Sequence, residues 1–131
     1  MISKGTFDVT LNPEPSASAI EGVTIGRVAG TKRFSGPLEA TSEMHMIAAR
    51  TPVEGSASYA AVERVSGTLD GKRGTFIMVH VGQMHRGTRA LFSVTIAPDS
   101  GTGELAGISG RMTIEIVNGK HFYELDYSIE N

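Results

Sequence analysis

The sequence contains no cysteine among its 131 residues, which excludes disulfides and thiolate-bound zinc. A fold of this size must therefore be held together by the packing of its core alone. The chain is long enough for one domain that buries roughly two-thirds of the surface its unfolded form exposes. We expect a single domain over residues 1–131 and an intracellular location.

Long apolar runs and clustered basic residues are absent as well. No stretch approaches the ~20 apolar residues of a membrane-spanning helix, and the N-terminus lacks the apolar core of a secretory signal. The net charge is −2, and basic residues are scattered except for two pairs beside predicted turns, Lys32-Arg33 and Lys72-Arg73. Such pairs are most often solvated. These features predict a soluble, cytoplasmic protein that binds neither membranes nor nucleic acid.

What the sequence does contain is regular turn chemistry. Glycine, proline, asparagine and aspartate separate short, strand-like runs. These runs predict eight strands, at about 4–11, 23–29, 38–49, 56–69, 75–84, 89–96, 111–117 and 121–129. Segment 12–21 is rich in proline and serine and is predicted to be a loop. Segments 44–50 and 59–64 have helical propensity, but their neighbours favour strands.

Asn118-Gly119 is a strong signal for a two-residue hairpin turn. Such a turn sets Val117 opposite Lys120 and brings apolar residues together on one face of the hairpin. The predicted pairs on that face are Ile116 with His121, Ile114 with Tyr123, and Met112 with Leu125. The last two strands are therefore placed in register by the sequence.

A second hairpin is predicted around Asp70, with a loop of four residues from 70 to 73. The predicted opposite pairs are Leu69 with Gly74, Gly67 with Phe76, Val65 with Met78, and Glu63 with His80. This register brings a carboxylate and an imidazole side by side on an otherwise apolar face.

Eight mostly antiparallel strands without covering helices must hide their edges. We therefore expect an all-β fold, a single eight-stranded, mostly antiparallel β-barrel whose interior is filled by side chains or holds one small ligand. Run 76–81 is apolar on both faces, so its outer face needs a cover. A homodimer would supply that cover.

Two blocks of the sequence resemble a known family. They are residues 59–80, YAAVERVSGTLDGKRGTFIMVH, and residues 101–110, GTGELAGISG. They resemble a bacterial family of unknown function whose members are similar in fold to the allene oxide cyclase barrel, an eight-stranded antiparallel structure. The resemblance implies an allene-oxide-cyclase-like barrel. Allene oxide cyclase is a plant lipid enzyme, but none of its catalytic residues can be matched to positions in this chain, so no activity is carried over.

Glu63 and His80 are the predicted catalytic residues. Inside an apolar barrel, desolvation raises a glutamate pKa and lowers a histidine pKa, while mutual attraction opposes both shifts. Such a pair can titrate near neutrality and move a proton on or off a bound ligand. Two alternatives stay open: a buried hydrogen-bonded pair that only fixes strand register, or a register wrong by one in which the two residues never meet.

Four further residues are predicted to bind the ligand, and for Tyr123 the ordinary alternative is core packing. They are Tyr59, Met78, Met84 and Tyr123. No cofactor is predicted. The glycines of segment 101–107 invite comparison with a phosphate loop, but the segment has no Lys-Ser/Thr pair and opens no helix. A tight, irregular connection with positive φ angles explains those glycines better.

No metal site is predicted either. His80 and His85 are five residues apart, so they point to opposite sides of one strand. A site assembled across strands from Glu43, His45, Glu63 and His80 stays open, although nothing in their spacing favours it.

The leading functional hypothesis is a barrel that binds a small, largely apolar molecule, and any activity would be a cofactor-free isomerase- or cyclase-like reaction that uses Glu63 and His80. The competing hypothesis is a non-enzymatic, oligomeric interaction module with a solidly packed barrel, whose outer face around Ile77, Val79 and Val81 is functional. Interior volume separates them, because a pocket of at least ~300 Å³ that reaches solvent favours the binder. The sequence does not decide whether the protein is an enzyme.

Overall fold

A computed structural model describes residues 1–130 and shows a closed, antiparallel barrel whose eight strands follow one another in sequence order. The strands are β1 (Ile2–Ile20), β2 (Val23–Ser35), β3 (Leu38–Arg50), β4 (Ala57–Leu69), β5 (Lys72–His85), β6 (Thr88–Ile96), β7 (Ile108–Val117) and β8 (Lys120–Ile129). Pairing of β1 with β8 closes the barrel. The predicted all-β barrel is confirmed, and both segments with helical propensity are strands.

The two ends of the barrel differ. At one end, which we call the closed end, lie the β2–β3 and β4–β5 turns and the β6–β7 connection with its 3-10 turn, Gly103–Leu105. Leu105 is buried there against the apolar core. The other four turns form what we call the open end. Among the described residues, no helix is long and apolar enough to cross a membrane.

Residues 12–20 are strand rather than the predicted loop. They continue β1 and pair with β2, with an irregularity in register between Pro13 and Ala17. Within residues 1–130, β1 pairs with β8 only from Ile2 to Phe7, so this second half of β1 has a free edge. Proline is tolerated at such an edge because no neighbouring strand needs its missing N–H.

The structure confirms the register of one predicted hairpin and corrects that of the other. The Asn118-Gly119 turn has positive φ at both residues and the predicted register, with Val117 opposite Lys120. The Asp70 hairpin was predicted with a loop two residues too long. Asp70 and Gly71 alone form the turn, both with positive φ, and Leu69 lies opposite Lys72. An Asp-Gly pair satisfies a two-residue turn of the same type, which makes the longer loop unnecessary.

The glycine-rich connection between β6 and β7 is the tight, irregular segment that its composition predicts. Gly103 and Gly107 have positive φ angles of 59° and 84°. A Cβ atom on Gly101 would lie 1.9 Å from the carbonyl oxygen of Leu105, so only glycine fits there. Glu104 ties the connection to the barrel, because its carboxylate accepts a hydrogen bond of 3.1 Å from the backbone N–H of Arg73.

Candidate functional site

Four polar side chains point into the barrel and form one cluster, which we call the interior cluster. They are Lys32 on β2, Ser42 on β3, Glu63 on β4 and His80 on β5. Each occupies a position that alternates in phase with buried apolar neighbours on its strand. Glu63 is completely buried, with 0% of its surface exposed, and His80 is 3% exposed.

Glu63 is the centre of this cluster. Its Oε1 atom lies 2.6 Å from Nε2 of His80 and 3.0 Å from Nζ of Lys32. Its Oε2 atom accepts a hydrogen bond of 2.5 Å from the hydroxyl of Ser42. The predicted contact between Glu63 and His80 is therefore confirmed.

That contact forms although the predicted register of the hairpin is wrong. Glu63 lies opposite Met78, and His80 lies opposite Ala61, so the two residues are diagonal rather than direct neighbours. A register change of two residues keeps every side chain on its original face of the sheet, and diagonal neighbours stay within reach of long side chains. The alternative in which Glu63 and His80 never meet is excluded.

The cluster keeps Glu63 ionised. Burial alone would raise the pKa of Glu63, but the hydrogen bond to His80, the charge of Lys32 and the hydroxyl of Ser42 outweigh it, and the pKa is lowered from its ordinary value of 4.5. An ionised carboxylate can only accept hydrogen bonds. Nε2 of His80 must therefore carry the proton in its contact with Glu63.

The second ring nitrogen of His80 makes no hydrogen bond to a described residue. Within the described residues, the side-chain hydrogen bond of the His80 ring is the one through Nε2. No buried side-chain nitrogen or oxygen of the described chain lacks a partner, so Nδ1 must lie at an accessible surface. His80 does line a cavity at the open end of the barrel. In the neutral ring, Nδ1 is then an unprotonated acceptor that a ligand can reach.

This cavity, which we call the mouth cavity, has a volume of about 250 Å³. Its wall is mostly apolar and aromatic, with a few polar side chains. The lining residues are Phe7, Val9, Leu11, Lys32, Met44, Met46, Tyr59, His80, Gly82, Gln83, Met84, Arg89, Leu91, Phe92, Ile114, Ile116 and His121. A pocket of this kind, with a few convergent polar groups, is the usual form of a small-molecule site.

The structure separates the four predicted ligand-binding residues into two pairs. Tyr59 and Met84 line the mouth cavity. Met78 and Tyr123 are 0% and 2% exposed and belong to the packed core. The Tyr123 hydroxyl is occupied by the backbone, since it donates to the carbonyl of Ser35 and accepts from the N–H of Leu38.

The place of Tyr59 depends on the glycine across from it. Tyr59 on β4 lies opposite Gly82 on β5. A Cβ atom added to Gly82 would lie 2.3 Å from the Tyr59 ring, so the ring packs directly over this glycine. Burial raises the pKa of the Tyr59 hydroxyl, the charge of Arg89 opposes that rise, and Glu63 adds to it. The phenol therefore stays protonated at neutral pH and can donate a hydrogen bond.

Sequence reasoning missed two members of the interior cluster. Lys32 was predicted to be solvated with Arg33, and that prediction is wrong for Lys32, which is 7% exposed. Its ammonium is compensated by Glu63 and lies 4.8 Å from the centre of the Phe7 ring. The alternation of buried and exposed positions along β2 could have predicted the burial of Lys32, because Lys32 is two residues from buried Phe34. Ser42 likewise alternates with buried Ala40 and Met44.

The cross-strand metal site is contradicted. Glu43 and His45 are on the outer face of β3, where their side chains are 3.5 Å apart and exposed. Glu63 and His80 point inward, so the four residues cannot converge. Among residues 1–130, no three histidine, aspartate or glutamate side chains are grouped closely enough to hold a metal ion.

In fold and site the chain is a small, closed antiparallel barrel that holds a buried Lys-Glu-His cluster beneath an apolar cavity. The chain belongs to the DUF3224 family of proteins of unknown function, whose model matches residues 3–127. It is similar to a solved structure, the crystal structure of a protein with unknown function from the DUF3224 family from Shewanella oneidensis MR-1. The two are 43% identical, with 100% of this chain and 98% of that chain covered and a TM-score of 0.93. No curated protein matches.

These comparisons confirm the predicted membership of a bacterial family of unknown function. They assign no activity or ligand to the chain. The similarity of its fold to allene oxide cyclase stays a prediction.

Proposed function

We propose that the barrel binds a small, largely apolar molecule in the mouth cavity and that His80 exchanges a proton with it. The observation that supports this most is the orientation of His80. Glu63 holds one ring nitrogen at 2.6 Å, and the ring lines the cavity. A histidine fixed in this way is a typical general base, because the carboxylate sets the tautomer and stabilises the imidazolium that forms.

The proposed chemistry is an isomerisation or cyclisation without a cofactor. Nδ1 of His80 takes a proton from one atom of the ligand, and the bond electrons move within the ligand. The imidazolium then returns the proton to a second atom of the same molecule, so neither an oxidant nor a co-reactant is needed. Lys32 and Ser42 act as positioning residues, since they keep Glu63 ionised and oriented. The walls of the cavity restrict the shape of the ligand.

The volume of the cavity lies between the volume expected for a binder and that expected for a solidly packed module. At about 250 Å³ it falls somewhat short of the ~300 Å³ at which pockets for drug-sized ligands begin. It also corresponds to about eight waters, each of which takes up about 30 Å³ in the liquid. We therefore propose a ligand smaller than a typical drug molecule.

Methionine-methyl NMR tests the binding directly. Three of the six methionines line the mouth cavity, Met44, Met46 and Met84, whereas Met78 and Met112 lie in the packed core. Titration with 1-octanol should shift the three cavity methyl signals and leave the two core signals in place. Val9→Phe places a ring in the cavity and should weaken these shifts. Uniform shifts, or none, would count against the site.

The chemistry needs an identified ligand, which native mass spectrometry of freshly purified protein can supply. With that ligand in D₂O, the wild-type protein should introduce deuterium, and His80→Gln should slow this by about 10²- to 10⁴-fold. This variant leaves Lys32, Ser42 and Glu63 paired, so it should keep its fold. If no small molecule binds, or if His80→Gln and Glu63→Gln retain binding and turnover, the proposal fails.

We also propose that the protein forms a homodimer through the outer face of β2–β5. Large apolar side chains are exposed there, namely Ile25, Ile47, Val62, Val79 and Val81, at 37–55% of their surface. A concavity of about 370 Å³ lies among them and carries Glu14 and Arg27, whose opposite charges suit a self-complementary two-fold interface. This surface is the one specific observation that favours the alternative role as an interaction module.

Sedimentation velocity tests the dimer. Val62→Glu should convert the protein to monomers, while Val117→Glu, at an exposed position at the end of β7, should not. A wild-type protein that sediments as a monomer at high concentration would overturn the dimer proposal without affecting the proposed cavity site.

The absence of cysteine supports our further proposal that the protein acts in the cytoplasm.

A further inference from the structure

We infer that the molecule bound in the mouth cavity is an amphipathic anion, with an apolar body inside the barrel and a carboxylate-like group held by Arg89 at the rim. This inference rests on the proposed function, because it names the chemical class of ligand for the same site.

The charges around the cavity are of one sign. The charged side chains in its wall are Lys32 and Arg89, both cations. Of the described residues that line it, none is aspartate or glutamate. Glu63 is the nearby carboxylate, and it is wholly buried and shared among Lys32, His80 and Ser42. An apolar cavity with a cationic wall and no exposed acid favours a negative ligand over a neutral or positive one.

Arg89 is the cation that remains available. The ammonium of Lys32 is already 3.0 Å from Glu63, so its charge is neutralised within the protein. Arg89 takes part in none of the salt bridges among residues 1–130. Its guanidinium lies 4.2 Å from the centre of the Phe92 ring, a stacking contact that leaves its N–H donors free. A guanidinium binds a carboxylate through two parallel hydrogen bonds.

Tyr59 supplies a second donor close to Arg89. Both residues line the mouth cavity, and the charge of Arg89 opposes part of the rise in the Tyr59 pKa that burial causes. Since that phenol stays protonated, it can donate to the same anionic group. The two side chains come from different strands, β4 and β6, so they approach the ligand from two sides.

The pairing of the strands also sets the length of the ligand. Arg89 lies opposite Met84 on β5, and His80 is four residues further along the same strand. At ~3.3 Å per residue, the Cα atom of Met84 lies roughly 13 Å along the strand from that of His80. The guanidinium of Arg89 extends back towards His80, because it lies over the ring of Phe92, which is opposite Gly82. An anion at Arg89 therefore places a short apolar chain between the guanidinium and His80.

Three ligands of equal chain length test the inference: octanoate, 1-octanol and octylamine. We measure their affinities by calorimetry and methionine-methyl NMR, with the wild-type protein, Arg89→Gln and Arg86→Gln. Arg86 is an exposed arginine on the β5–β6 turn and does not line the cavity, so it is the matched control. Octanoate should bind wild type about tenfold more tightly than octanol, the typical advantage of one charge-assisted contact. Arg89→Gln should abolish this advantage, and Arg86→Gln should keep it.

The outcomes separate this inference from the proposed function. If octanol binds as tightly as octanoate, or octylamine binds best, the anionic class is wrong and the apolar site stands. If the preference for octanoate persists in Arg89→Gln while its melting temperature is unchanged, the role of Arg89 is wrong. If none of the three ligands shifts the cavity methionines, the inference and the proposed site fail together.

Discussion

The closed and open ends of the barrel use the same inward positions for opposite purposes. At the closed end these positions carry large apolar side chains, such as Leu69 and Phe76, with at most 1% of their surface exposed. Towards the open end they carry the interior cluster, and above it the wall of a cavity. Strand alternation thus decides which residues face inward, and the chemistry of each residue decides whether that end stabilises the fold or forms a site.

The largest predicted effect comes from breaking the interior cluster. Glu63→Gln leaves the charge of Lys32 buried without compensation, which we expect to cost about 3 kcal/mol or more in the free energy of unfolding. Urea denaturation measures this cost. The double variant Lys32→Met with Glu63→Gln removes the uncompensated charge and should recover much of the stability. A single variant within about 1 kcal/mol of wild type would contradict the central role of Glu63.

Truncating one side chain at each end tests whether the closed end is more tightly packed than the open end. Leu69 at the closed end is 0% exposed, so Leu69→Ala should cost about 2–5 kcal/mol by leaving a cavity in a packed core. Met84 at the open end is 42% exposed and borders space that is already present. Met84→Ala should cost less than about 1 kcal/mol. Equal costs in urea unfolding would mean that the open end is packed like the closed end.

Lowering the pH should reduce the contribution of Glu63 to the stability of the protein. Because the pKa of Glu63 is lowered in the fold, its ionised form stabilises the protein above its ordinary value of 4.5, and this contribution is lost as the pH falls below that value. The stability gap between wild type and Glu63→Gln should therefore narrow as the pH drops below 4.5. A gap that stays constant across this range, measured by thermal unfolding, would contradict the shift.

Raising the pH should reduce the contribution of Tyr127, at the closed end, to the stability of the protein, with a smaller effect. Burial raises the pKa of Tyr127 to about 12, helped by the hydrogen bond that its hydroxyl donates to Asp70 and by the charge of that carboxylate. A raised pKa stabilises the protein below the ordinary value of 10.0, and the contribution is lost as the pH rises through about 12. Wild type should therefore lose stability relative to Tyr127→Phe above pH 10, as thermal unfolding would show.

Much of the fold could be predicted from local chemistry. Asn118-Gly119 allowed the correct register of β7 and β8, because a two-residue turn leaves one pairing. The Asp70 turn was predicted two residues too long, yet Glu63 and His80 were still placed on one face, since a slip of two preserves alternation. The strand at 12–20 was missed because local composition does not show that its prolines lie at a free edge.

The candidate site could be predicted only in part. A charged residue on an alternating strand is usually a solvated one, so Lys32 was assigned to the surface. Its burial depends on Glu63, 31 positions away along the chain, and only closure of the barrel brings the two together. The cavity depends likewise on side chains from all eight strands, whose joint volume no local pattern gives.

The central claim is that Glu63 holds His80 so that one ring nitrogen faces the mouth cavity. Long-range ¹H–¹⁵N NMR of the histidine rings tests it most directly, at a pH where the His80 ring is neutral. We predict that Nε2 carries the proton, that Nδ1 is unprotonated, and that the Nδ1 signal shifts when octanoate or 1-octanol is added. A proton on Nδ1, or an Nδ1 signal that no cavity ligand moves, would contradict the account.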